Sequence, residues 1–401
     1  MFDWTTIKLG DVISIKHGFA FKGEYFSDTG PGPILVTPGN FAIGGGFKEG
    51  RVKYYHGPAI AGYDLSPGDL IVTMTDLSKG GDTLGYPAII PSGPQYLHNQ
   101  RIGLVQIHQD SVIDKRFLSY ALRTAAYRAH VLGSATGSTV RHTSPSRIEA
   151  YSLKVPQLVE QVAIGSILGS LDDKIAINET IAAKAHLIAE LTFRLRTKSA
   201  NLTPMSSVLT PVLGATPSRK ISDYWGGGIP WASARDVATC THGTVLETAE
   251  QISDRAALET KAKPVPPGAV ILTARGTLGA VARVIRPTSF NQSCFAFIPD
   301  NIPESVLYFM VRAAAAQMAS LAQGTVFSTI NMSTFNHIGV PVLSEYELQE
   351  LESSISPLLD TVQCRLEENL AVRALRDALL PKLISGKIRV RDAEKIVEEV
   401  V

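Results

Sequence analysis

The sequence predicts an α+β protein in which two mixed α/β domains alternate with two long helices, the helices paired antiparallel as a coiled coil. Three observations lead there. Motifs recur in the same order about 190 residues apart, a long stretch of helical apolar periodicity follows each copy, and the remaining sequence sets short β-branched runs between Gly and Pro turns. Such an internal duplication also implies pseudo-two-fold symmetry. The order expected along the 401 residues is a first domain (1–156), a long helix (157–197), a connector (198–207) and a second domain (208–341). A second long helix (342–385) and a C-terminal strand and short helix (386–401) complete it.

The domains are read from their turns. Pro67-Gly68-Asp69-Leu70-Ile71-Val72-Thr73 returns as Pro267-Gly268-Ala269-Val270-Ile271-Leu272-Thr273, in each case a turn followed by a buried strand. Leu84-Gly85 returns as Leu278-Gly279, and Asn99-Gln100 as Asn291-Gln292, the latter two each before an apolar run. Gly137-Ser138 matches Gly324-Thr325, and Val155-Pro156 matches Val340-Pro341. The offset shrinks from 200 to 185 residues while the order holds, as it does when two copies differ in loop length. Gly30-Pro31-Gly32-Pro33 and Gly226-Gly227-Gly228 read as turns, and so does Phe41-Ala42-Ile43-Gly44-Gly45-Gly46, despite its likeness to a cofactor loop.

The helical segments are read from their stripes. In the first, Ile164, Leu168, Leu171 and Ile175 step by four, three and four, and Asn178, Ile181, Ala185, Ile188, Leu191 and Leu195 continue the stripe. In the second, Leu348, Leu351, Ile355, Leu358, Val362 and Leu366 keep that spacing, with Leu370, Leu379, Leu380 and Leu383 beyond. Ser344 with Glu347 forms a capping box, and Leu343 with Leu348 a hydrophobic staple. Pro357 should kink the second helix or break it locally. Forty residues make roughly 60 Å of helix, about twice the face a small domain offers, so the two stripes are expected to cover each other. Ile164, Leu168, Leu171, Ile175, Leu351, Ile355, Val362 and Leu366 are the expected core of that pair. Asn178 on the seam would set the register through a polar partner, although an exposed Asn fits equally well. Lys387-Ile388-Arg389-Val390 reads as a strand and residues 391–401 as an amphipathic helix.

Composition narrows the function classes. Hydrophobic residues at 45% exclude disorder. Charged residues are 19%, below the roughly 25% of an average chain, and a slightly positive mean hydropathy of +0.10 suits a surface kept for a protein partner. No stretch reaches the ~20 apolar residues of a membrane span, and the opening Met1-Phe2-Asp3-Trp4-Thr5-Thr6 has no secretory character. Cys240, Cys294 and Cys364 lie far apart and imply no disulfide framework. A cytoplasmic subunit of a larger assembly is expected. Net charge is +1, distributed as +3 over 1–155, 0 over 156–200, +2 over 201–341 and −4 over 342–401, which permits DNA binding without arguing for it.

No catalytic constellation is found. There is no Gly-x-x-x-x-Gly-Lys-Ser/Thr loop, no convincing Gly-x-Gly-x-x-Gly after a strand, and no Asn-Pro-Pro-aromatic tetrad. Asp172-Asp173-Lys174 holds the Asp-x-Lys of metal-dependent nucleases, but lacks an upstream Pro-Asp and reads as a solvated helix face. Cys240-Thr241-His242 has no second pair at zinc-finger spacing. His98 and His142 read as satisfied polar residues, and Glu367-Glu368 and Glu398-Glu399 as helix surface. No catalytic residue and no metal site are expected.

Two phrases carry a family resemblance. The run from Gln161 to Asn178 (QVAIGSILGSLDDKIAIN) and the tail from Leu379 to Val390 (LLPKLISGKIRV) resemble the helical regions of type I restriction-modification specificity subunits. Leu9-Gly10-Asp11-Val12 with Gly18-Phe19-Ala20-Phe21-Lys22, and Gly137-Ser138-Thr139-Val140, look like the opening and close of that family's target-recognition domains. The resemblance covers essentially the whole chain. It implies a non-catalytic DNA-recognition subunit whose two target-recognition domains each read half of a bipartite, asymmetric double-stranded DNA target, with the helix pair as ruler. It implies two methylation subunits docked on this chain and restriction subunits beside them, and no membrane. It implies no cofactor here, since S-adenosylmethionine, ATP and Mg belong to the partners. For DNA contacts, basic and hydroxyl residues on loops are the candidates: Lys22, Lys79, Arg101 and Arg141 in the first domain, and Arg219, Arg235, Arg275 and Ser328 in the second. The alternative is a duplicated protein-interaction scaffold that does not itself read DNA.

Overall fold

The computed structural model describes residues 4–50, 52–78, 80–137, 140–323 and 329–400. The chain divides into two compact units, residues 1–174 with 372–401, and residues 175–371. The divisions fall inside the two long helices rather than at the ends of the domains read from sequence, so each unit takes part of both helices.

In each unit an opening strand pairs with the strand that leads into the long helix. Thr5–Lys8 runs antiparallel to Ser152–Val155, and Leu202–Pro204 antiparallel to Gly339–Pro341. Residues 202–204 therefore form a strand where a connector was expected. No apolar run announces it, because its order comes from hydrogen bonds to a distant segment. The main sheet of the first unit runs in the order Ile13–His17, Ile102–Ile107, Leu70–Thr73, Pro87–Ile89, antiparallel throughout. That of the second runs Val212–Leu213, Cys294–Phe297, Val270–Thr273, Val281–Val284, Thr244–Val245. The repeated strands Leu70–Thr73 and Val270–Thr273 are buried at every residue. Gly68 and Gly268, at φ +86° and +83°, take the conformation that the Pro-Gly turn before each strand requires.

A second sheet in the first unit, ordered Phe26–Ser27, Tyr54–Tyr55, Ile34–Val36, Tyr96–His98, Asp64–Leu65, packs Phe21, Leu35, Tyr55 and Leu97 together. The second unit has instead a three-stranded sheet around Trp225–Ala232. Its main core joins Val270, Leu272, Phe295 and Phe297 of the five-stranded sheet to the helix Glu304–Gln323. Phe193, Leu351, Ile355 and Leu359 of the long helices complete that core.

The long helices are Leu158–Thr197 and Glu345–Ile384. Ser344 and Glu347 form the capping box: the Ser344 N–H donates to the Glu347 carboxylate at 2.7 Å, and the Glu347 N–H to Ser344 Oγ at 3.3 Å. The second helix continues through Pro357 without the expected break. Pro357 and Ser353, whose carbonyl it leaves unbonded, are exposed to water, while Ile355 and Leu359 on the other face are buried. Within the second unit the helices run antiparallel, with Asn178 against Asn369, Ala182 and Ala185 against Val362 and Leu366, and Arg196 3.4 Å from Glu350.

Ile164, Leu168, Leu171, Ile175, Leu351, Ile355, Val362 and Leu366 are all buried. Beyond Asn178 the buried stripe is Ala182, Ala185, His186, Ala189 and Phe193, whereas Ile181, Ile188, Leu191 and Leu195, expected to continue it, are exposed. Small alanines suit close approach of the partner helix, and the larger aliphatic residues occupy another face. In the second helix Leu359, not Leu358, is the fully buried member. Asn178 Nδ2 donates to Asn369 Oδ1 at 2.9 Å and to Glu368 at 3.0 Å, and Asn369 Nδ2 donates to the Ile175 carbonyl at 3.2 Å. Glu368 is thus half-buried rather than plain helix surface.

The duplication extends into the helices at a constant offset of 191. Ile164, Leu168, Leu171, Ile175 and Asn178 correspond to Ile355, Leu359, Val362, Leu366 and Asn369, all buried. Gln161 accepts the Asp114 N–H at 3.0 Å, and its counterpart Glu352 accepts the Ser305 N–H at 3.1 Å.

Two further expectations are corrected. Asp172 is not a solvated helix residue: Tyr120 Oη donates to it at 2.7 Å, and Arg123 and Arg376 lie 3.1 and 2.6 Å away. Burial opposes its ionisation, but the Arg123 and Arg376 charges and the Tyr120 hydrogen bond outweigh that and hold its carboxyl below the usual range. Lys387–Arg389 forms no strand. Gly386, at φ +69°, ends the helix with its N–H on the Leu383 carbonyl, the Lys387 N–H returns to the Lys382 carbonyl, and the helix Val390–Val400 follows at once.

Candidate nucleic-acid interface

The repeated Asn-Gln pair organises a rim in the first unit. A Cβ on Gly18 would lie 2.0 Å from the Asn99 carbonyl oxygen, so only glycine lets these two segments meet. The Asn99 side chain accepts the Arg101 N–H at 3.0 Å and closes the turn before the strand Ile102–Ile107. The Met74 N–H donates to the Arg101 carbonyl at 2.9 Å, and the Thr143 N–H to the Met74 carbonyl at 3.0 Å. Segments 18–22, 74–78, 99–101 and 141–143 are thereby joined along one edge. Asp76 accepts the Ser78 N–H at 2.6 Å and Thr83 Oγ1 at 2.7 Å. Burial raises its pKa, but these hydrogen bonds prevail and hold it below the ordinary value.

Of the candidate contacts here, Lys22 is exposed, with its Nζ 3.8 Å from Glu24, and Arg101 is exposed at the tip of the Asn-Gln turn. Arg141 is half-buried on the short strand Arg141–His142, opposite Asp76. Lys79 lies outside the described residues. His98 and His142 are satisfied, by the Ile102 carbonyl at 2.8 Å and Thr75 Oγ1 at 3.1 Å.

The second unit builds the same rim. A Cβ on Gly214 would lie 2.1 Å from the Asn291 carbonyl oxygen. The Asn291 side chain accepts the Ser293 N–H at 3.1 Å, the Ala274 N–H donates to the Ser293 carbonyl at 2.8 Å, and the Ile330 N–H to the Ala274 carbonyl at 3.1 Å. The helix Ala234–Thr239 joins the rim, since the Asn291 N–H donates to the Ala232 carbonyl at 3.0 Å and Thr277 Oγ1 to the Ala234 carbonyl at 3.3 Å. Arg235 and Arg275 are both exposed there. Arg219 lies 3.7 Å above the Trp225 ring and 5.5 Å from that of Trp231, and both its terminal nitrogens grip Glu250. A nucleic acid must compete with Glu250 for that charge. Ser328 lies outside the described residues. Sequence reasoning missed Trp225; a tryptophan beside Gly226-Gly227-Gly228 was the available signal.

A cavity of about 330 Å³ in the second unit is lined by His186, Cys240, His242 and Arg312, among others. His186 Nε2 lies 2.9 Å from Tyr308 Oη, and burial together with the charges of Arg312, His242 and Arg283 lowers its pKa to about 4. Burial also raises the Cys240 thiol to about 11, and its Sγ donates to the Val237 carbonyl. Near pH 7 the cavity therefore holds a neutral imidazole and an un-ionised thiol. Among the described residues no group of three or more His, Cys, Asp or Glu side chains converges to hold a metal ion, and no helix is long and apolar enough to cross a membrane.

The first long helix also carries an apolar face open to solvent: Ile177, Ile181, Leu187, Ile188, Leu191 and Leu195 are each more than a third exposed. Large aliphatic side chains so exposed on a helix already packed along its other face form a candidate docking surface.

The family model described as type I restriction modification DNA specificity domain matches residues 1–186 and 207–370. Two similar relatives are the MjaIX specificity subunit of a type I restriction enzyme from Methanocaldococcus jannaschii and the EcoBI specificity subunit from Escherichia coli. The first is 28% identical over 159 residues, 39% of this chain, and the second 30% identical over 193 residues, 48% of this chain. Each match spans 37% of the relative's own length. The crystal structure of a type I restriction-modification system S subunit from M. genitalium has a similar fold, with a TM-score of 0.62 at 14% identity over 95% of this chain and 96% of that one.

Proposed function

This chain belongs to the family of type I restriction-modification DNA specificity domains, and from that premise we propose that it is a DNA sequence-specificity subunit reading a bipartite, asymmetric target. The observation that carries the proposal is the doubled rim. In each unit a Gly–Asn contact fixes equivalent loops along one edge, and those loops bear Lys22 and Arg101 in one copy and Arg219 and Arg275 in the other. Two related readers of different composition suit two half-sites of different sequence. One reader sees only a few base pairs in the major groove, and coupling two readers multiplies their selectivities and adds a spacing requirement.

In this reading the long helices set the spacing. The exposed aliphatic face of the first helix supports docking of methylation subunits, two in the complete assembly, with restriction subunits joining them. The chain itself catalyses nothing. S-adenosylmethionine, ATP and Mg serve the partners. Arg235 is proposed as a further contact, and Arg141 as one held from the strand beside Asp76.

The test is to co-express the chain with its neighbouring methylation subunit and map methylated adenines across a genome. A bipartite motif is expected, and exchanging residues 1–155 for those of a relative should change one half of it. A motif unmoved by that exchange would mean the chain is a scaffold and a partner reads the DNA.

A further inference from the structure

The two copies share few residues, and the fold accounts for nearly all the described identities among the repeated motifs. Pro67-Gly68 and Pro267-Gly268 make a turn with glycine at positive φ. Ile71 and Ile271, Thr73 and Thr273, and Val155 and Val340 are buried. Gly85 and Gly279 sit at φ +77° and +82°. Asn99 and Asn291 close their turns through their side chains. Gln100 and Gln292 are different. Both side chains are exposed, and neither contributes to a core or closes the turn it stands on. Gln100 makes no side-chain hydrogen bond to another described residue, and Gln292 meets only Thr216 Oγ1, at the surface. Nothing in the folding of either unit requires glutamine at these positions.

The backbone around each is held alike. The residue before it is the asparagine against glycine, the residue after it passes its carbonyl to the strand-end at 74 or 274, and the chain then enters a buried strand. The carboxamide is therefore presented from a rigid turn at the middle of each rim, beside Arg101 in the first unit and Thr216 in the second. A carboxamide offers a donor and an acceptor side by side. In the major groove that pair matches the N7 acceptor and N6 donor of adenine.

We infer that Gln100 and Gln292 are specificity-determining residues that read an adenine in each half of the target, one contact common to two otherwise different readers. The inference rests on the DNA-reading function proposed above. Surrounding residues that differ between the copies, Arg101 against Ser293 and Lys22 against Ser218, then supply what distinguishes the half-sites.

The experiment is selection of bound duplexes from a randomised pool by the full chain assembled with its methylation subunits, comparing the parent with Gln100→Met, Gln292→Met and Gln100→Glu. Each Met variant is expected to lose roughly tenfold discrimination at a single A·T position, each in a different half-site, and to keep the rest of the motif. Gln100→Glu keeps an acceptor and loses the donor, so its preference should move from A toward C at that same position. This gain of a new preference cannot come from a misfolded protein. Unaltered motifs in all three variants, or loss confined to a G·C position, would overturn the inference while leaving the function intact. A parent assembly that enriches no sequence would remove both.

Discussion

Lys22 and Arg219 stand on equivalent loops and hold their charges differently. The Lys22 side chain is 77% exposed, and its contact with Glu24 at 3.8 Å costs little to break in water. Lys22→Ala should therefore weaken binding to all duplexes evenly and reduce the slope of log affinity against log salt by about one, as removal of a phosphate contact does. An affinity titration across salt concentrations reads this directly, and an unchanged slope excludes Lys22 from the interface. His186 supports a prediction about stability. Burial and the neighbouring cations keep it neutral until about pH 4, whereas the unfolded chain takes up this proton near 6.5. Its contribution is complete above 6.5 and is lost as pH falls from there toward 4, because the unfolded state binds more protons in that window. Between pH 7 and pH 5 this amounts to roughly 2 kcal/mol. His186→Gln should show a smaller loss than the parent in urea unfolding at those two pH values, and equal losses would mean His186 does not report the transition.

At the scale of elements, the polar layer in the helix pair behaves as a unit. Replacing Asn178 by Leu leaves Asn369 Oδ1 buried without its donor, and replacing Asn369 by Leu takes one of the two acceptors from Asn178 Nδ2, the first at a cost of about 1–3 kcal/mol. Replacing both should recover much of that loss, since no unpaired amide then remains. A double-mutant cycle measured by denaturant melts checks this, and additive losses would show that the two side chains do not depend on each other. The helices also show where periodicity misleads. Ile181, Ile188, Leu191 and Leu195 follow a proper helical spacing, but so do Ala182, Ala185, Ala189 and Phe193, and the second set is buried. Hydrophobic strength selected the wrong face because close helix packing favours small side chains.

For the molecule as a whole, helix length is the quantity under test. Adding one heptad to each long helix extends each by about 10 Å, so the spacer between half-sites should grow by roughly three base pairs while both half-sites keep their sequence. Methylated-motif mapping reads spacer and half-sites separately, and altered half-sites would contradict the ruler. Much of this organisation was legible in sequence: the order of the copies, both long helices and the capping box at Ser344 each rest on local residue patterns. Less of the candidate interface was legible. Lys22, Arg101, Arg219 and Arg275 could be named as exposed charges, but not as members of equivalent loops, and the partnership of Arg219 with Trp225 and Glu250 left no mark in the spacing.

The sequence by itself determined the repeat, the buried strands after each Pro-Gly turn and the two helical segments, because turn chemistry and apolar period act over a few residues. Only the tertiary structure decided which stripe of the first helix is covered, that Asp172 is bound by Arg123 and Arg376, that residues 202–204 become a strand, and that Asn99 and Asn291 each meet a glycine from far away in the chain. All four depend on groups distant in sequence coming within hydrogen-bond or van der Waals reach. No local pattern encodes those distances.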